Sequence, residues 1–86
     1  MRPMKLRYFA WVRERVGHDE EEIELPDGVA DVAGLMTWLA GRDEGYAAAF
    51  AEPDVIRAAL DQTHVDHDAP LAGAREVAFF PPMTGG

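Results

Sequence analysis

The sequence contains no cysteine and no serine. The two commonest nucleophiles of covalent catalysis are therefore missing. With cysteine go the disulfide staple, the redox pair and the thiolate metal site. Thr37, Thr63 and Thr84 stand in no recognisable catalytic motif, and no glycine-rich phosphate loop precedes a helix. Basic charge is scarce as well: 8 Lys and Arg face 16 Asp and Glu, a net charge of -8. That balance argues against a nucleic-acid partner, which needs a basic patch to meet the phosphates. No apolar stretch approaches membrane-spanning length. The opening residues MRPMKLRYFAWVRERVG scatter charge where a secretory leader would place an apolar run and a small-residue cleavage site. The expectation is a cytoplasmic protein without a membrane partner.

What remains, 86 residues of which 48% are hydrophobic, suffices for one domain with a modest core. MKLRYFA (4–10) alternates, with Leu6 and Tyr8 on one face and Lys5, Arg7 and Phe9 on the other, and predicts a first strand. WVRERVG (11–17) reads as a short helical segment closed by Gly17, and EEIEL (21–25) as a second strand stopped by Pro26-Asp27-Gly28. Asp31 is a fitting N-cap for the main helix, in which Val32, Leu35, Met36 and Leu39 form one apolar stripe before Gly41. Gly34 inside that helix suggests close packing. A short helical stretch over 45–52 and strands over 55–61, 63–65 and 75–80 complete the chain. A mixed sheet of about five strands on one main helix satisfies this order, with the first and last strands as parallel central neighbours. This is an α+β chain of the β-grasp, ubiquitin-like plan, with a body over 1–80 and an extended tail over 81–86.

Two polar stretches invite a chemical reading. In HVDHD, His64 and His67 with Asp66 and Asp68 are the residue types of a zinc site. Residues three apart on a strand face opposite ways, so a polar turn without metal is expected. The acidic run HDEEEIELPD (18–27) reads as a solvated hairpin, able to steer the chain toward a basic surface. Acid–base catalysis needs one carboxyl desolvated away from the other, and a solvated run offers no such asymmetry.

The tail is more informative. Alternation in REVAFF sends Val77 and Phe79 inward and Phe80 outward, where Phe80 joins Phe9 in an apolar patch. Pro81 and Pro82 lack the N–H that a ladder needs and favour a stiff, extended path. Gly85 and Gly86 have no Cβ and suit a narrow channel. The one reactive group at that tip is the α-carboxylate, which is inert until another enzyme activates it.

EVAFFPPMTGG, together with MKLRYFAWVRERVG at the start, closely resembles the small subunit of molybdopterin synthase, a ubiquitin-like sulfur carrier. The resemblance covers nearly the whole chain. It implies that an E1-like adenylyltransferase uses ATP to adenylate Gly86, and that a sulfur donor system converts the adenylate to a thiocarboxylate. The tail Pro81, Pro82, Met83, Thr84 and Gly85 then enters the large subunit of the synthase. There the thiocarboxylate supplies sulfur to cyclic pyranopterin monophosphate, two carriers flanking a dimer of large subunits. Phe80 and Phe9, with Arg13, match the partner contact. The chain itself is expected to bind no cofactor and to hold no catalytic residue. It departs from the family at Asp61, where an amide is common in the turn, and at Met83, where valine is common. The same tail also suits a protein modifier joined to lysines, a carrier for another pathway, or a plain interaction module.

Overall fold

Strand β1 (Arg2–Tyr8) opens the computed structural model, which describes residues 2–82. Helix α1 (Ala10–Val16), strand β2 (Glu20–Leu25), helices α2 (Val32–Ala40) and α3 (Glu44–Ala49), and strands β3 (Arg57–Leu60), β4 (Thr63–Val65) and β5 (Glu76–Phe80) follow. The five strands form one sheet in the order β2-β1-β5-β3-β4. β1 and β5 are central and parallel, and the other pairings are antiparallel. The order and sense are those of the β-grasp plan.

The alternation that predicts β1 and β5 sets the inner face. Met4, Leu6 and Tyr8 of β1, and Val77 and Phe79 of β5, are buried against Val32, Leu35, Met36 and Leu39 of α2, Val12 and Val16 of α1, and Tyr46 and Phe50. Each such side chain contributes about 1.5–3 kcal/mol on full burial. Phe79 lies at the centre, stacked on Tyr8 at 6.3 Å and edge-on to Phe50 at 5.1 Å between ring centroids.

Two backbone details differ from the sequence expectation. Asp31 caps α2 as expected, its Oδ1 accepting from the Gly34 N–H at 2.7 Å. A Cβ on Gly34 would lie 3.0 Å from that oxygen, so the glycine keeps the cap clear and admits no neighbouring element. The close approach is at Gly45 instead. There a Cβ would meet the Arg15 carbonyl oxygen at 2.7 Å, where α3 starts against the end of α1. Gly45→Ala is expected to destabilise the domain by about 1–3 kcal/mol through that overpacking, measured by urea unfolding.

The β3–β4 connection is a two-residue turn with Asp61 at φ 48° and Gln62 at φ 71°, the paired left-handed geometry that matches strand twist. Asp61 Oδ1 accepts from the N–H groups of Arg75 at 3.0 Å and Glu76 at 3.1 Å, pinning the start of β5 to the hairpin. The carboxylate thus serves as a double acceptor, and a charged acceptor strengthens such bonds.

Candidate functional site

The outer face of the sheet is built from the complementary half of each alternation. The register lines up Arg7 of β1, Ala78 of β5, Ala59 of β3 and His64 of β4 in one row across four strands. The two alanines make a low floor, and larger side chains stand around it. Phe9, Phe80, Pro81 and Pro82 rim the resulting open groove of about 450 Å³, together with Arg7, Gln62, His64 and Glu76. Small floor residues between aromatic walls give the groove the shape and chemistry to take apolar side chains.

Each aromatic wall carries a nitrogen group. The Arg7 guanidinium carbon lies 5.1 Å from the Phe9 ring centroid, a cation–π contact, and Arg7 also pairs with Glu76 at 3.9 Å. The His64 ring lies 5.0 Å from Phe80, tilted by 36°. Phe9 is 38% exposed, rare among the large apolar side chains here.

Phe9 reaches the groove on the face that alternation assigns to it, one residue beyond the end of the strand. β1 ends at Tyr8, and Phe9 is the N-cap of α1, with extended dihedrals and no side-chain cap bond. Its N–H donates to the Phe79 carbonyl oxygen at 3.1 Å, which holds it beside β5. Ala10 follows at φ 53°, a left-handed conformation that costs a non-glycine residue about 1–2 kcal/mol. An uncapped apolar residue followed by a strained alanine is a poor way to start a helix. Such local conflicts gather where a surface is used.

Phe80, Phe9, Pro81 and Pro82 thus come together. Arg13 does not join them: it is exposed on α1 and does not line the groove. Met83, Thr84, Gly85 and Gly86 lie outside the described residues. His64 is the groove residue that the sequence reading left in a polar turn. Its neighbour His67 bonds the Ile56 carbonyl at 2.7 Å, so the two histidines serve different surroundings. A larger hollow of about 700 Å³ lies further along the same face. Arg2, Lys5 and Arg75 there meet Glu22, Asp61 and Glu76, leaving no net charge for a ligand to exploit.

The acidic run is not uniformly solvated, which corrects the sequence reading. Glu22 and Glu24 are exposed, but Glu21 turns inward with its side chain only 16% accessible. Its carboxylate accepts from Tyr8 Oη at 2.8 Å, Tyr46 Oη at 2.5 Å and Arg42 Nη1 at 3.1 Å. His18 Nε2 in turn contacts Tyr46 Oη at 2.8 Å. Burial alone would raise the Glu21 carboxyl; the bonds from Tyr46, Tyr8 and Arg42 together outweigh it and hold the group below the usual carboxylate range. Burial and this carboxylate push the Tyr46 phenol up to about 12 and Tyr8 higher still. The cluster ties β1, β2, α3 and the α2–α3 turn together, and its donors are committed to that task.

The ThiS family model matches residues 6–86. The chain belongs to that family. It is 40% identical, over 96% of its length and 99% of the relative's, to the molybdopterin synthase sulfur carrier subunit of Escherichia coli. Among solved structures it is similar to a Pyrococcus furiosus protein assigned as molybdopterin converting factor subunit 1, with a TM-score of 0.74 and 33% identity over 96% of this chain and all of that one. It also shares its fold with a chain in the complex of molybdopterin-converting factor subunits 1 and 2 from Helicobacter pylori, with a TM-score of 0.62 and 22% identity over 98% of this chain and 99% of that one. The resemblance read from EVAFFPPMTGG, and the ubiquitin-like fold it implies, therefore hold. No helix among the described residues is long and apolar enough to cross a membrane.

Proposed function

We propose that this chain is the sulfur carrier subunit of a molybdopterin synthase, working through its C-terminal Gly86. The observation that carries the reading is the double use of β5. One face of that central strand anchors the core through Val77 and Phe79. The other face lines the groove through Ala78 and Phe80 and leads directly into Pro81 and Pro82 at its rim. The residues that follow therefore leave from a rigid, load-sharing strand beside an apolar docking surface. Rigid placement of a reactive tip reduces the ordering cost of its delivery.

In this reading an E1-like enzyme couples the Gly86 carboxylate to AMP at the expense of ATP, releasing pyrophosphate. A sulfur donor system replaces the AMP and leaves a thiocarboxylate. The large synthase subunit seats on the Phe9–Phe80 groove and receives Pro81 to Gly86, and sulfur passes to cyclic pyranopterin monophosphate. Relatives bearing this function, and the two-subunit complex formed by the Helicobacter pylori neighbour, support the assignment. The carrier needs no thiol, since the sulfur rides on the chain end. Its own side chains supply docking and reach, and the catalytic groups belong to the large subunit, in a cytoplasmic assembly of two carriers on a dimer.

Intact mass after incubation with ATP, the E1-like enzyme and a sulfur donor is the direct test. The expected gain is the exchange of one oxygen for sulfur, localised to Gly86. Lysine conjugates in place of that gain would assign the chain to protein modification instead. Phe80→Ala is expected to weaken binding to the large subunit by about 1–3 kcal/mol, as for an aromatic anchor at an interface centre. Titration calorimetry against the wild type reads this directly.

A further inference from the structure

We propose that His64 is a specificity-determining residue of the docking groove, and that it admits the large subunit only while its ring is uncharged. The inference rests on the carrier reading above. His64 is exposed on β4, stands at the end of the Arg7–Ala78–Ala59 row and packs its tilted ring against Phe80. A partner that covers Phe80 must therefore also cover the imidazole.

The uncharged ring extends the apolar wall at little desolvation cost. An imidazolium in the same position loses its water against a floor of two alanines, and a buried charge is costly unless it is paired. The charges that face it do not provide the pairing. Arg7, across the groove on β1, has the same sign, and Glu76 on β5 is already committed to Arg7 at 3.9 Å. On β3, Arg57 stands two positions from Ala59, the residue opposite His64, and is also cationic. Asp61, two positions away on the other side, spends its Oδ1 on the Arg75 and Glu76 N–H groups. Asp66, two positions along the chain from His64, is exposed. Proton binding and partner binding at this site therefore exclude one another.

The test is the affinity of the full chain for the recombinant large subunit as a function of pH, by calorimetry, for wild type and His64→Gln. Wild-type affinity is expected to fall about tenfold from about pH 7.5 to about pH 5.5, the range in which histidine side chains take up a proton. His64→Gln, which keeps a polar side chain but cannot take up a proton here, is expected to lose the part of that slope belonging to one proton. His18, His67 and the partner are the same in both experiments, so the difference isolates His64. Parallel profiles for the two proteins, or a wild-type affinity that rises toward acid pH relative to His64→Gln, would overturn the proposal and leave the carrier reading standing. Absence of binding at every pH would overturn the carrier reading itself, and this inference with it.

Discussion

Deleting Gly86 is expected to abolish sulfur loading and transfer while leaving the fold intact. The deletion moves the terminal carboxylate back by one residue, about 3.3–3.6 Å of extended chain. A displacement of about 1 Å at a reacting centre already lowers a rate about a hundredfold. The shortened tip therefore falls well outside the reach for which an activating site and a synthase channel are shaped. Stability is a separate matter. The core closes at Phe79, and the sheet ladder ends with the Arg57–Phe80 pairing, six residues short of the deletion. Thermal unfolding of the truncated chain is expected to match wild type, and its affinity for the large subunit to retain the contribution of the Phe9–Phe80 groove. Intact mass should show no oxygen-to-sulfur exchange. A truncated chain that still acquires sulfur and supports the synthase would remove Gly86 from the mechanism; one that fails to fold would overturn the separation of body from tail.

The parts of this design that could be read from the sequence are those set by a long period. Leu6 and Tyr8, Val77 and Phe79, and the stripe Val32, Leu35, Met36 and Leu39 repeat often enough to fix which face is buried, and all of them are in the core. Asp31 announces its helix because capping needs only local geometry. Phe80 follows from alternation within β5. Alternation carried one residue past β1 places Phe9 in the same groove, whereas the left-handed Ala10 that follows it is favoured by no propensity. His64 sits on a three-residue strand, too short for alternation to assign a face, and its contact with Phe80 comes from the pairing of β4 through β3 to β5. Gly45 carries no sequence signal of its own at the start of its helical stretch, and only the approach of α1 gives it a role.

Glu21 is the instructive case, because half of its signal was present. A strand with Ile23 and Leu25 inward must also turn Glu21 inward. Its partners are Tyr8, Arg42 and Tyr46, which lie 13, 21 and 25 residues away in sequence. No local pattern joins them. A carboxylate on an inner face with unknown partners looks like solvent-exposed charge, and the fold had to bring the two phenols and the guanidinium to it.

Glu21→Ala is accordingly expected to be among the most damaging single changes to the body of the protein, at about 3 kcal/mol. Each phenol bond to a charged carboxylate contributes about 1.5–3 kcal/mol, and Glu21 accepts two of them, from Tyr8 and Tyr46. The Arg42 pair is partly exposed and adds at most about 1 kcal/mol, so the total stays near the low end of the sum. For a domain of this size the loss corresponds to a fall in Tm of roughly 12–24 °C. Glu21→Gln separates charge from shape through the pH dependence. The folded-state carboxyl of Glu21 lies below its unfolded value. Its contribution is therefore complete above about pH 4.3 and is lost as pH falls through the folded value. At the other end, the Tyr46 phenol is raised to about 12. Its contribution is complete below the ordinary tyrosine value of about 10 and drains away as pH rises toward the folded one. Wild-type stability, followed by urea unfolding across pH, should therefore decline on both limbs. In Glu21→Gln both limbs should be shallower, because the carboxyl is gone and the phenols no longer face a negative charge. If the two proteins lose stability in parallel below about pH 4.3, other carboxylates govern the acid limb, and the cluster is held by packing rather than by the charge of Glu21.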